Sequence, residues 1–462
     1  MSKKLPKLLI VCLMVVALKA NCQWNVVCNS GNGFVDNFEI FNNDLYATGF
    51  FNRICGASCN YVAKFDGTNW QAVGNGFPNA GHHLAVIDSV LYGAAYQPNI
   101  DSNWFYKFDV ANFNKMGDGV YLTTAVVGFS QLPNLYNMIK YNGNIVVSGE
   151  FDRVGSKHIS GIMQWNGTEW DSLGAGISGH NPLSSYPDPI MYPHDLCLYG
   201  TDLIVCGEFA YAGGQPAYSI ARWDGSQWYA MGQGFNGAAY GVEVYNGELY
   251  AGGDFTLSGT TPLRYIAKWN GTNWIDPGFN LFYSDTNNYS FIHTLKVLNG
   301  KLVISGGFDH AVVGTDTMQC TSVAAYNGVI IDTLSGGLPG NEIEGLIIYN
   351  GLLFAGGGPL NDSTYIANYN LPASIPTVIS SNIVIDIFPN PFTTQTTLTL
   401  QGSNHNPSLF IYNLLGQEVR SIPVGTNSQV TINREHLSSG MYFYKVIDEN
   451  KEVLGIGKLV IE

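Results

Sequence analysis

Seven residues that can do chemistry recur at one place in a repeating pattern: Asp36, His82, Tyr136, His194, Tyr240, His293 and Glu344. Three imidazoles are the donor set of many zinc sites, and histidine is the side chain whose charge changes near neutral pH. Tyrosines and carboxylates add hydroxyl donors and strong acceptors. If the repeats close on themselves, equivalent residues converge on one concavity, the usual setting for ligand binding. A plainer reading makes them residues at the start of inner strands that cap loops or meet solvent. No metal site, cofactor or catalytic residue is assigned, because the chain has no GxSxG, HExxH, P-loop or EF-hand motif to fix a reaction. The acidic segments GEFD and GGDF read as solvated strand edges rather than calcium sites.

The phrase that sets the register is VAKFDGTNW, MQWNGTEW, IARWDGSQW and IAKWNGTNW. Each copy carries two aromatics five residues apart around an Asn-Gly or Asp-Gly step: Phe65 with Trp70, Trp165 with Trp170, Trp223 with Trp228, and Trp269 with Trp274; Phe108 and Phe113 repeat the aromatic spacing without the glycine. The dipeptide predicts a two-residue hairpin turn with the rings on its two strands. Aligned on this phrase, a glycine of the preceding strand falls at Gly49, Gly149, Gly207, Gly253, Gly306 and Gly357, with Ala95 in the weakest unit. The spacings run from 46 to 58 residues, the size of a four-stranded propeller blade. The seventh copy, YIANYN, stops before its tryptophan, while Gln23, Trp24, Asn25 and Val26 resemble the end of a unit. The predicted architecture is therefore all-β: a seven-bladed β-propeller over residues 23–370, closed by pairing of residues 23–34 with 364–369, followed by a small C-terminal β-sandwich.

Composition agrees with that class. The chain of 462 residues is 46% hydrophobic and 12% charged, with 54 glycines and 27 tyrosines, so large cores and many turns are expected. Residues 1–22, with Lys3, Lys4 and Lys7 ahead of the apolar run from Leu8 to Leu18, read as a signal peptide too short to span a membrane. Removing its four lysines takes the formal charge from −14 to −18, which argues against nucleic acid or anionic lipid as a partner. No later stretch reads as a transmembrane segment. In an oxidising compartment Cys55 and Cys59 could form a local disulfide, and Cys197 and Cys206, diagonal on a hairpin, are expected as buried apolar residues.

The alternating Gly-Gly, aromatic and turn signals resemble kelch-like propellers of the galactose-oxidase type in architecture, and no residues carry over as a copper site. The repeated phrase is similar to tandem repeats of secreted Bacteroidetes-type proteins. After LPASIPTVISSN, a Pro/Ser linker at 371–382, residues 383–462 carry IDIFPNPF, LLGQEV, LSSGMYFYKV and the terminal KLVIE. In order and spacing these resemble the type A C-terminal sorting domain of the type IX secretion system, whose motif positions are Pro389, Asn390, Pro391, Gly416, Gly440, Tyr442 and Lys458. The resemblance implies partnership with that secretion machinery and a product that is secreted or attached to the outer surface after export to the periplasm. The expected function is binding or adhesion toward a glycan or surface protein. The alternative is a polysaccharide-acting hydrolase, lyase or oxidase with its site at the channel mouth.

Overall fold

The computed structural model describes residues 24–28, 31–97, 102–109, 111–122, 133–184, 191–285, 287–338, 343–357, 365–371, 384–401, 407–413, 418–424, 429–447 and 453–461. The expected signal peptide, the linker and Gly416 lie outside them. Among the described residues there is strand and no helix.

From residue 24 to 371 seven antiparallel sheets share one plan. Their inner strands are Gly31–Phe41, Gly81–Ile87, Asn134–Tyr141, Tyr192–Tyr199, Ala239–Tyr245, Phe291–Leu298 and Ile343–Tyr349. Each inner strand packs against those of the sheets before and after it, and the first packs against the seventh. The core is correspondingly divided. One apolar cluster fills each gap between consecutive sheets, as where Val242 and Leu249 meet Ile204 and Cys206, and another joins Phe38 of the first sheet to Ile347 and Phe354 of the seventh.

The repeated phrase forms the outer hairpin, with Phe65 opposite Trp70 and Trp165 opposite Trp170. Its turn differs from the two-residue expectation. Residues 166–169 make a four-residue loop in which Asn166 Oδ1 accepts from the amides of Thr168 and Glu169 at 2.9 and 3.0 Å, and only Gly167 takes a positive φ. The Asn or Asp is needed for its side-chain acceptor, which closes an Asx turn. The two-residue turns lie between inner and second strands, as at Asn142-Gly143, where both residues have positive φ and Tyr141 pairs with Asn144.

The seventh sheet is completed by the other end of the chain. Strand Asn25–Cys28 pairs antiparallel with Tyr365–Tyr369, Asn25 facing Asn368. Trp24 then stands against Tyr369 at 5.2 Å, and its Nε1 donates to Leu334 O at 3.1 Å. Trp228 and Trp274 make the same bond to Leu173 and Met231 of the sheet before theirs. The closing segment is shorter than the 23–34 expected: Gly31 to Phe34 already belong to the first inner strand, where Phe34 faces Phe50. The disulfide also differs. Cys55 pairs with Cys28, not with Cys59, which is a buried free thiol. The bond spans 27 residues and ties the closing strand to the first sheet. Cys206 is buried and Cys197 partly so, diagonal across their hairpin.

In the tail, one sheet of Val384–Phe388, Gln395–Gln401 and Gln429–Asn433 and a second of Glu418–Pro423, Ser408–Tyr412, Gly440–Ile447 and Val453–Ile461 share a core that includes Leu398, Leu409 and Leu459.

Trp24→Ala should lower unfolding free energy by about 2 kcal/mol, the loss of a half-buried ring and its hydrogen bond. Replacing Cys28 and Cys55 by serine should cost about 3 to 4 kcal/mol through the released 27-residue loop. Urea titrations of the secreted chain measure both; no change from either would contradict closure by this strand.

Candidate functional site

All seven residues singled out by register line one cavity of about 740 Å³ at the inner strands. They sit within those strands rather than ahead of them, and the reason is a β-bulge. In each inner strand the ladder skips one residue, between Val35 and Asn37, Gly81 and His83, Leu135 and Asn137, Pro193 and Asp195, Ala239 and Gly241, Ile292 and Thr294, and Ile343 and Gly345. The skipped residues are Asp36, His82, Tyr136, His194, Tyr240, His293 and Glu344. A bulge leaves its extra residue unpaired and re-aims it.

The strand glycines belong to the same device. Gly207 faces Pro193, and a Cβ there would stand 2.0 Å from Tyr192 O; at Gly49, Gly149, Gly253 and Gly306 a Cβ would meet the equivalent carbonyl at 2.0 to 2.3 Å. The bulge thrusts that carbonyl across the ladder, and at these five positions glycine leaves room for it; in the second sheet Ala95 stands at the equivalent place, facing Gly81.

Around the mouth the rings form a continuous arc. Tyr136 lies 4.8 Å from His194, His194 meets Tyr240 edge-on at 5.0 Å, and Tyr240 stacks with His293 at 6.1 Å. Burial holds the His194 imidazole down at about 3, helped by His293, and His82 at about 4, so both are neutral near pH 7. On the other side His82 Nδ1 stands 3.7 Å from Asp36 Oδ2, and burial pushes the Asp36 carboxyl well up.

Three acids stand behind this arc, and two of them, Glu150 and Asp254, correct the expectation of solvated edges. Glu150 and Glu208 are each only 3% exposed. Tyr136 Oη donates to Glu150 at 3.4 Å, and His180 Nδ1 stands 3.2 Å from Glu208 Oε1. Asp254 accepts from Tyr240 at 2.9 Å and from Tyr289 at 2.7 Å, while its other oxygen holds the Ala238 amide. The sequence carried a signal for them: each follows its strand glycine directly, in three consecutive units.

Just below the mouth, side chains one residue past the bulge bind the sheets together. Asp195 accepts from Asn137 of the preceding sheet and from the Val242 amide of the next, at 2.9 Å for the latter. Asn37 bridges to His83 and the Leu84 amide. Further down, Glu39, Glu243 and Lys296 line the same cavity, with burial raising both glutamates and Lys296 opposing it. Among the described residues no group of three His, Cys, Asp or Glu is placed to hold a metal ion. The long segments expected at this face are described in part, and from 279–292 Tyr289 reaches it through Asp254.

In the tail, Asn390 explains its motif. Its side-chain amide donates to Lys458 O and accepts from Val460 N, both at 2.8 Å, pinning the Pro389-Asn390-Pro391 turn to the last strand. Gly440 has φ +148, and Tyr442 is buried with its hydroxyl on Ser438 O at 3.1 Å. Residues 386–462 match the family of secretion system C-terminal sorting domains. The tail is a sorting domain of the type IX secretion system. It makes the chain a secreted or outer-surface protein that meets the secretion machinery through this domain. Among the described residues no helix is long and apolar enough to cross a membrane. No curated protein matches the chain. Among solved structures, an extracellular domain assigned to a hybrid two-component system of B. thetaiotaomicron is similar at a TM-score of 0.42 and 12% identity, over 95% of this chain and 59% of that one. This chain thus spans less than two thirds of that protein's length. A fungal alcohol oxidase of the AA5 family, solved with copper, is similar at a TM-score of 0.25 and 12% identity, over 82% of this chain and 96% of that one.

His194 supplies a test of the mouth's burial. Its folded pKa of about 3 lies below the ordinary value near 6.5, so acidification protonates the unfolded chain first and stability falls as pH drops through that window. His194→Gln removes this dependence. The stability advantage of wild type over the variant should shrink by about 1 to 2 kcal/mol between pH 7 and pH 5 in chemical denaturation. A constant difference would mean that the imidazole titrates as in solvent.

Proposed function

We propose that the chain is a seven-bladed β-propeller that binds a ligand at its channel mouth, as a binding or adhesion protein on the outer surface or in the medium. On this reading residues 1–22 are a signal peptide removed on export, 23–370 the kelch-like propeller, 371–382 a linker and 383–462 the delivery domain. The observation that carries it is the convergence of Asp36, His82, Tyr136, His194, Tyr240, His293 and Glu344 on one cavity. A bulge costs ladder pairing and in six of the seven sheets stands opposite a glycine. Seven bulges that turn polar and aromatic side chains into one concavity are the arrangement a recognition site needs, a few placed polar groups among ring faces. Neutral imidazoles, tyrosine hydroxyls and carboxylates suit a hydroxyl-rich ligand such as a glycan.

Two measurements bear on this reading. The full secreted chain should bind a subset of a glycan and surface-protein array, and the double variant His194→Ala, Tyr240→Ala should lose at least ten-fold in affinity while keeping its far-UV spectrum; undiminished binding would move the site elsewhere. A chain ending at residue 382 should fold and remain in the periplasm, whereas normal surface delivery would show that the tail is dispensable.

A further inference from the structure

The mouth is not equivalent all the way round. Three consecutive sheets carry an aromatic ring at the bulge and an acid one residue past the strand glycine, and on the third and fifth sheets the two are bonded, Tyr136 to Glu150 and Tyr240 to Asp254, while Glu208 of the fourth stands beside His180. The sixth and seventh sheets depart from this plan, with Gly307 at the acid's position in the sixth and Glu344 at the bulge of the seventh. No lysine or arginine lines this arc among the described residues. The cavity's two lysines, Lys140 and Lys296, lie three to four residues further along their strands, roughly 10 to 13 Å from the mouth.

Building on the ligand-binding reading above, we infer that the arc of Tyr136, His194 and Tyr240 is a subsite for a positively charged glycan, a polymer of amino sugars bearing free ammonium groups. An ammonium is attracted to the negative face of an aromatic ring, most strongly where water is partly excluded. The acids strengthen that attraction. Tyr136 and Tyr240 each donate a hydroxyl hydrogen bond to an acid, Glu150 and Asp254, which makes the ring more electron-rich, and the acids set a negative potential behind the rings. Tyr289, 58% exposed, extends the surface outward from Asp254. The tyrosine-and-acid pair on the third and fifth sheets, with the His194 ring between them, fits a ligand that itself repeats, offering a pyranose face and an ammonium in successive units. A lysine side chain or a small quaternary ammonium shares the charge but not the repeat.

The test is titration calorimetry on the full secreted chain, below the amine pKa, with four probes: a β-1,4-glucosamine tetramer, its fully N-acetylated counterpart, choline, and a lysine-rich peptide. The glucosamine oligomer is expected to bind at least ten-fold more tightly than the other three, to weaken as salt rises, and to lose at least ten-fold in Tyr136→Leu and Tyr240→Leu. Tyr240→Phe, which keeps the ring and removes the bond to Asp254, should fall between and guards against a folding defect in the leucine variants. Equal binding of the acetylated oligomer would overturn the charge requirement while leaving glycan binding at the mouth intact. Preference for choline or the peptide would overturn the sugar assignment, and binding of no probe would overturn the inference, with the broad array deciding separately whether the mouth binds anything.

Discussion

Everything at the mouth depends on one steric exchange, a glycine for a carbonyl. An inner strand that kept regular pairing would alternate its side chains between the two flanking gaps, as Phe38 and Leu196 do within the cores. The extra residue breaks that alternation and turns a polar or aromatic group inward. The displaced carbonyl then occupies the space where the second strand would carry a Cβ at Gly49, Gly149, Gly207, Gly253 and Gly306, so those strand glycines belong to the bulge as much as to the repeat. Packing between the sheets and the lining of the cavity are thus served by successive residues of one strand.

Ring closure is the second constraint. Apolar clusters lie only in the gaps between neighbouring sheets, so a missing gap would expose two sheet faces and an unpaired edge together. The chain meets this by lending four N-terminal residues to its last sheet, and the Cys28–Cys55 bond then fixes that strand to the first sheet as well. Trp24 repeats the bond that outer tryptophans make across other gaps, so the junction between the chain ends uses the same interaction as the junctions within it.

The fold was largely legible because its determinants are local and periodic. Gly-to-Gly spacing, paired aromatics and the unfinished last unit could each be read without tertiary knowledge. The seven mouth residues followed from register alone, yet their mechanism did not, since a bulge has no mark apart from the glycine opposite it. Cys28–Cys55 was missed because the partners meet only through closure, which brings residue 28 beside the first sheet, whereas Cys59 is merely near in sequence. The acids at 150 and 254 were misread for a related reason. In an open sheet an acid beside a strand glycine faces water, but here the neighbouring sheet and the long segments cover it.

Repetition builds the scaffold, and departure from repetition builds the site. Where most units agree, at the glycines, the gap-filling apolar residues and the outer rings, the residues answer to packing, which is the same problem at each gap. At the bulge position the units disagree, with three imidazoles, two phenols and two carboxylates in equivalent places. Packing alone does not call for that variety, because all seven positions face the same cavity and none fills a core. The supporting residues vary with them: Asp195 binds three sheets at one point of the ring, while Gly241 at the equivalent place in the next sheet carries no side chain, and a Cβ there would stand 3.0 Å from His293 O. The wall of the cavity is thus not equivalent all the way round: aromatic rings, two of them bonded to acids, stand on one arc and the His82–Asp36 pair on the other.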